Sequence, residues 1–248
     1  MWQKIKIGDL IFYQFNYKKI NIYFFTRQGG YSKGNYFSLN LSYDVGDDQI
    51  LVKKNYQKIK DIIKVKRIIN LKQIHSNKIV VLNNENFDKF GDGVITQKKN
   101  ILLGIKVADC LPVALFKEDC EVIGIFHIGW QGFYLKICEE IIKFFKNYKN
   151  RIYFLLMPSI EQKCYPVSFS IYEKFKKVYE EEFLEEIFLK EKNKYYLDLR
   201  KGVREILNKY FIELPGLELC SFCEKEELYS YRRDKITGRN LAGIQIIS

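Results

Sequence analysis

Imidazole is the scarcest reactive side chain in this sequence: 248 residues hold only two histidines, His75 and His127. A centre built from many imidazoles is therefore excluded. Proline occurs four times, and no Pro-, Gly- or Ser-rich tract interrupts the chain. With no linker in sight, a single compact domain over residues 1–248 is expected. A long hydrophobic run is missing as well. The longest apolar stretch, Ile101 to Phe116, is broken by Lys106 and Asp109, which excludes a transmembrane helix and with it a membrane partner. The opening residues, Met1-Trp2-Gln3-Lys4-Ile5-Lys6, form no signal-peptide hydrophobic region, so a cytoplasmic protein is expected.

What is present is ordinary for a soluble globular chain that buries a substantial core, with 47% apolar and 29% charged residues. The formal net charge of +11 raises the question of nucleic acid. The lysines, however, punctuate the whole chain, and glutamates (Glu180 to Glu182, Glu185, Glu186) interleave the later runs. That dispersal describes a solvated surface rather than a nucleic-acid groove, and leaves a smaller role in attracting phosphorylated substrates. Six cysteines are present, at positions 110, 120, 138, 164, 220 and 223. In a cytosolic chain they do not argue for disulfides. Only Cys220-Ser221-Phe222-Cys223 has short metal-like spacing, and no second CxxC completes a structural zinc site.

The apolar pattern predicts strands at Leu10 to Phe15 and Ile20 to Thr26, then a Gly-rich loop from Arg27 to Gly34. Asp47-Asp48 starts a helix with Leu51, Tyr56, Ile59 and Ile63 near helical spacing. Strands follow at Arg67 to Leu71, Ile79 to Leu82, Gly93 to Thr96 and Ile101 to Val107. Pro112 to Phe116 and Val122 to His127 flank Lys117-Glu118-Asp119-Cys120 as a hairpin. A helix after Gly132, a strand at Arg151 to Leu156, and helices at Ile171 to Phe183 and Arg200 to Phe211 complete the reading. The order gives an α/β or mixed α+β fold, with central mixed sheets flanked by helices.

In that arrangement His75 and Cys110 fall in loops just outside strands, and His127 ends one. Two imidazoles and a thiolate would fill three corners of a tetrahedron around zinc and leave the fourth to water. The ligands stand 35 and 17 residues apart, far too long for a zinc finger, so spacing alone leaves a hydrogen-bonded structural histidine and a buried cysteine as open alternatives. Context adds weight. Asp109 beside Cys110 is costly to bury without a partner or a function, and Gly129-Trp130-Gln131-Gly132 after His127 lets backbone approach a ligand closely. Three further segments combine glycine or hydroxyls with arginine: Thr26-Arg27-Gln28-Gly29-Gly30 leading to Ser38-Leu39-Asn40-Leu41, Ser230-Tyr231-Arg232-Arg233-Asp234, and Thr237-Gly238-Arg239. Arginine forks suit phosphate or carboxylate, with surface ion pairs as the plain alternative.

Together these segments, with Gln73-Ile74-His75, Ala108-Asp109-Cys110-Leu111-Pro112, His127-Ile128-Gly129-Trp130 and Cys220-Ser221-Phe222-Cys223, resemble a bacterial family. It was once called multicopper polyphenol oxidoreductase or laccase-like, and is also known as YfiH. The resemblance runs from Thr26 to about Ile244. It implies an α/β/β/α-type fold similar to that of toxin deamidases, and a zinc centre on His75, Cys110 and His127. The activity it implies is purine nucleoside phosphorylase, acting on adenosine, inosine, guanosine and S-methyl-5'-thioadenosine with phosphate, plus adenosine deaminase side activity. An alternative within the family is a Cys- or zinc-dependent amidase that edits UDP-muramyl peptidoglycan precursors. The implied partners are therefore a nucleoside and phosphate; oligomeric state is not legible.

This sequence departs from the family pattern at Gln131, where arginine is usual, at Met157-Pro158 in place of Gly-Pro, at Glu161 and at Pro166. If the missing arginine gripped phosphate, Lys136, Arg27 or Arg232 would have to substitute. The laccase name fails by counting, since two histidines cannot supply a blue copper and a trinuclear cluster; copper at the zinc site would be incidental. With both histidines committed to metal, Asp109 is the first candidate for proton transfer and Asp92 the second, alongside Cys110 and His127 as catalytic residues. Arg27, Ser38, Asn40 and Arg232 are the candidates for substrate or phosphate.

Overall fold

The computed structural model describes residues 1–83 and 88–248. In chain order its strands and helices begin with β1 (Gln3–Ile7), β2 (Leu10–Tyr17), β3 (Ile20–Phe25), α1 (Gln49–Ile63), β4 (Arg67–Asn70), β5 (Ile79–Val81) and β6 (Gly93–Thr96). There follow β7 (Ile101–Val107), β8 (Leu111–Lys117), β9 (Ile123–Ile128), α2 (Trp130–Tyr134), α3 (Ile137–Phe145), β10 (Ile152–Leu156) and β11 (Pro166–Val167). The last part holds α4 (Phe169–Lys176), α5 (Glu181–Ile187), β12 (Phe188–Glu191), β13 (Lys194–Leu197), α6 (Leu199–Leu207), β14 (Ile212–Glu213), α7 (Tyr231–Asp234) and β15 (Asn240–Ile246).

Two six-stranded mixed sheets stack face to face. The first runs β1-β2-β3-β15-β7-β4 and the second β14-β10-β8-β9-β6-β5; a small sheet, β11-β13-β12, stands apart. Period-two alternation decides which side chains go where. Along β3, Ile20, Ile22 and Phe24 face the second sheet, while Tyr23 and Phe25 turn outward onto α1. Along β8, Ala114 and Phe116 face the first sheet, while Leu111, Val113 and Leu115 face the helices from α2 to α6. The order is therefore helix, sheet, sheet, helices, as an α/β/β/α-type fold requires. Both faces of each central sheet are covered, which is why β8, β9 and β10 read as continuous apolar runs. Among the described residues no helix is long and apolar enough to cross a membrane.

Two predicted helices divide. Trp130 already opens α2, and Lys136, in the left-handed region at φ 65°, separates it from α3. The helix expected over Ile171 to Phe183 becomes α4 and α5. The chain leaves α4 so that Tyr179 can stack on Phe133 at 5.5 Å and donate its hydroxyl to the Phe133 carbonyl at 2.7 Å, and that burial outweighs continuing the helix. The C-terminal strand β15, which sits between β3 and β7 in the first sheet, had no reading from the sequence.

Because Phe24 is fully buried between the sheets, Phe24→Ala should lower unfolding free energy by about 3–5 kcal/mol in urea titration. Asp48 accepts from Ile50 and Leu51 N–H groups as the N-cap of α1, so Asp48→Ala should cost only about 1 kcal/mol.

Candidate metal centre

One buried carboxylate organises the site. Asp92, just before β6, is 0% exposed and accepts hydrogen bonds from several donors. The backbone N–H groups of Ile74, His75 and Ser76 reach it at 3.3, 3.0 and 2.6 Å, and the Ser76 hydroxyl at 2.7 Å. His127 Nδ1 lies 2.9 Å from its Oδ1, leaving Nε2 to face elsewhere. Burial pushes the Asp92 carboxyl up, but the bonds from His127 and Ser76 outweigh it and hold the group below its usual range. The loop is held from its other side by Gln73, whose amide donates to the Lys106 carbonyl at 2.8 Å and accepts from the Lys106 N–H at 2.9 Å. His75 itself takes a positive φ of 57°.

The strand register delivers the other two residues. In the β8–β9 pair Leu111 faces Ile128, so Cys110 and Gly129 emerge opposite each other at the strand ends. A Cβ on Gly129 would come 3.0 Å from Cys110 Sγ and 3.4 Å from the His75 ring; only glycine leaves this space to sulfur and imidazole. His127, 3% exposed, donates its N–H to the Asp92 carbonyl at 2.6 Å. Its ring meets that of His75 edge-on, 4.9 Å between centroids.

One ligand atom from each of His75, Cys110 and His127 lies within 4.8 Å of the others, a candidate metal-binding group. Accessibility grades from exposed His75 through half-buried Cys110 to buried His127, so the group opens outward on one side. Burial raises the Cys110 thiol, but the charge and hydrogen bond of His127 outweigh it, with a bond from His75 added, and bring it down to about 6. His127 is desolvated, yet the Cys110 sulfur and Asp92 push it up to about 9. The two shifts run in opposite directions, each favouring the charged form of its side chain.

The group forms the floor of a cavity of about 380 Å³, within the size range of small-molecule sites. Its walls carry Lys106, Arg239, Tyr231 and Asp44. Lys106 Nζ pairs with Asp44 at 2.7 Å. Arg239 is held through Nη1 by the carbonyls of Thr237 and Gly238, both at 2.9 Å, and lies over the Tyr231 ring at 5.9 Å. In the sequence Arg239 is one residue of the Thr237-Gly238-Arg239 segment and Lys106 an interruption of an apolar run, and neither pattern marks a cavity residue.

The remaining candidates sit around the cavity and do not line it. Asp109, at φ 95°, accepts from the Ser221 hydroxyl at 2.7 Å and the Arg232 N–H at 2.6 Å, so both its oxygens are engaged away from the ligands. Arg27 donates to the carbonyls of Phe37 and Lys225 and stacks on Tyr229. Ser38 exchanges hydrogen bonds with the Gly30 backbone, and Asn40 Oδ1 accepts from the Arg239 N–H at 2.9 Å. The Arg232 guanidinium donates to the Pro166 carbonyl and covers the Tyr165 ring. Gln131 is exposed on α2, and Lys136 lies over Tyr179 at 5.7 Å; neither borders the cavity.

Comparison with known proteins agrees with this architecture. A purine nucleoside phosphorylase of Haemophilus influenzae is 32% identical over 225 residues, 90% of this chain and 92% of the relative. A Clostridium acetobutylicum purine nucleoside phosphorylase is 30% identical over 94% of this chain and 95% of its own length. The crystal structure of a Neisseria meningitidis protein superposes with a TM-score of 0.86 at 24% identity, covering 100% of this chain and 99% of that one, which shows the shared fold. The family described as multi-copper polyphenol oxidoreductase laccase matches residues 21–247, and this chain belongs to it.

Proposed function

We propose that this chain is a zinc-dependent purine nucleoside phosphorylase acting on adenosine, inosine, guanosine and S-methyl-5'-thioadenosine, with adenosine deamination as a side activity. The observation that carries the reading is the His75–Cys110–His127 group at the floor of a nucleoside-sized cavity whose walls bear Lys106 and Arg239. The names of its relatives supply the reaction class.

The donor set fits zinc. Two imidazole nitrogens and a thiolate are among its preferred ligands, Gly129 leaves the sulfur uncrowded, and Asp92 orients His127 as outer carboxylates orient metal-bound histidines. When bound, zinc would supply Lewis-acid polarisation and a lowered pKa for water. The rest falls to the chain. Lys106 and Arg239 bring positive charge for phosphate, and Arg239, its guanidinium fixed at Nη1, has N–H groups left to fork onto an oxyanion. Tyr231 offers an aromatic face beside it. Asn40 acts through Arg239, and Arg232 through Asp109. Asp109, with both oxygens occupied, is assigned to holding the Cys110 turn rather than to moving a proton.

A second reading has its own observation. Cys110, His127 and Asp92 are connected as nucleophile, base and orienting acid, the arrangement of a cysteine amidase, and an amidase editing a UDP-muramyl precursor would use it. Incubating metal-analysed protein with adenosine, with and without phosphate, separates the two. Adenine formed only with phosphate marks phosphorolysis, inosine in both marks deamination, and no product of either kind sinks the first reading.

Asp92→Asn should weaken zinc binding by roughly 10–100-fold, measured by competition with a chromophoric chelator; unchanged affinity would remove Asp92 from the site. Lys106→Ala and Arg239→Lys should each raise KM for phosphate by about tenfold or more, with the thermal unfolding midpoint nearly unmoved. In chelator-treated protein Cys110 is protonated at low pH and a thiolate above about 6. Its alkylation by iodoacetamide should therefore climb to a plateau with half-maximal rate near that pH. A rate still rising through pH 8 would show an ordinary thiol. Added zinc should protect Cys110 from alkylation under the first reading, whereas under the second alkylation abolishes activity and chelators leave it intact.

A further inference from the structure

A second cluster of soft ligands lies outside the cavity, and the mechanism makes no use of it. Cys164 stands in the single helical turn Gln162–Cys164 after β10. Cys220 and Cys223 come from the turn that precedes α7. The sequence showed only the CxxC half, which by itself lacks partners. Folding supplies a third sulfur: the three Sγ atoms lie within 4.8 Å of one another, and Cys164 Sγ is 3.5 Å from Cys223 Sγ. Cys220 is buried, Cys164 half-buried and Cys223 exposed, so one side of the cluster faces solvent.

The backbone under the cluster is fixed. Ser159 forms a parallel bridge with Cys220, with its N–H bonded to the Leu219 carbonyl at 3.2 Å and its carbonyl to the Ser221 N–H at 3.0 Å. Arg200, 6% exposed, reaches both segments, donating to the Ser159 hydroxyl and carbonyl and to the Leu219 carbonyl. Arg233 Nη1 holds the carbonyls of Ser221 and Phe222, each at 2.9 Å. Three sulfurs are thus presented from two anchored loops, without an imidazole or carboxylate among the grouped ligands.

We propose that Cys164, Cys220 and Cys223 form a second metal site, for a thiophilic d10 cation such as Zn2+, distinct from the His75–Cys110–His127 group. Three thiolates are a soft donor set that selects such ions over magnesium or calcium. The fourth position, on the exposed side, is left to water or a small anion. Binding releases the three thiol protons to solvent. Three thiolates with one divalent ion leave a single negative charge; the buried Arg200 guanidinium feels the charge of Cys220 and is shared with Glu161, 3.8 Å away.

The site has a structural role. Tyr165, next to Cys164, packs under Arg232, and Ser221, next to Cys220, donates to Asp109 beside Cys110. A metal joining the two loops fixes the segments that hold the Cys110 turn from outside.

The test uses the full chain, purified under reductant, stripped with chelator and titrated with 113Cd2+. Two equivalents should bind and give two 113Cd resonances, the three-sulfur site far downfield of the one-sulfur, two-nitrogen site. Cys223→Ser should remove the downfield resonance, lower the stoichiometry from two to one and leave the other signal in place. His127→Ala should do the converse. A stoichiometry of one in the wild type, or two unchanged signals in Cys223→Ser, overturns the proposal. So does a Cys164–Cys223 disulfide, seen as four titratable thiols instead of six in protein freed of reductant and denatured without it. The two resonances report independently, so failure here leaves the zinc reading of the first group standing, and the reverse also holds.

Discussion

A single buried anion sets the geometry of the centre. Removing a carboxylate from water costs several kcal/mol unless donors replace the lost hydration, and Asp92 has no exposure at all. The donors that satisfy it are the backbone of Ile74 to Ser76 and the ring of His127. The electrostatic need of one side chain is therefore met only when the loop carrying His75 and the strand carrying His127 are both in place. Solving the desolvation problem and positioning two of the three ligands are the same event. The left-handed backbone at His75 is stabilised by that bargain, since its own N–H is one of the donors.

Strand pairing supplies the third ligand. Antiparallel β8 and β9 place Cys110 against Gly129, and β6 against β9 places Asp92 against His127, because Gly93 faces Phe126. His75 precedes β5, which runs parallel to β6. All three candidate ligands and Asp92 thus emerge at one end of the second sheet, from neighbouring strands. Rigid elements of this kind hold a site more tightly than free loops do.

Part of this was legible beforehand. Apolar runs marked β6 and β7 to the residue, Asp47-Asp48 marked the start of α1, and Lys117 to Cys120 marked a hairpin, whose register places Cys110 opposite Gly129. The 17-residue gap between Cys110 and His127 is the length of that hairpin. The partners of Asp92 were not legible, because they depend on the β6–β9 register across a separation of 35 residues, and no local pattern encodes a register. Arg239 was invisible as a cavity residue for a related reason. It sits at the head of β15, whose place between β3 and β7 is settled by pairing across most of the chain. Cys164 joins Cys220 and Cys223 over a gap of similar kind, 59 residues between the closest sulfurs. Asp109 was read as costly to bury, and it is buried; its partners Ser221 and Arg232 lie more than a hundred residues away.

The two sheets divide the chemistry between them. The candidate ligands and Asp92 belong to the second sheet, whereas Lys106 and Arg239 stand at the ends of β7 and β15 in the first, where Val107 pairs with Asn240. The chain crosses from one sheet to the other within Ala108-Asp109-Cys110, so the candidate ligands and the cationic wall meet over a three-residue turn. Asp109 in that turn is clamped by two partners from the C-terminal segment, which fixes the crossing between the sheets. The glutamine at position 131 stands apart from the cavity lining. Residue 131 projects to solvent from a helix beyond β9, on neither the strands that present the candidate ligands nor those that end at Lys106 and Arg239. Two cationic residues of the cavity wall, Lys106 and Arg239, therefore stand on the first sheet, where Arg239 owes its orientation to Asn40 and to the carbonyls of its own turn.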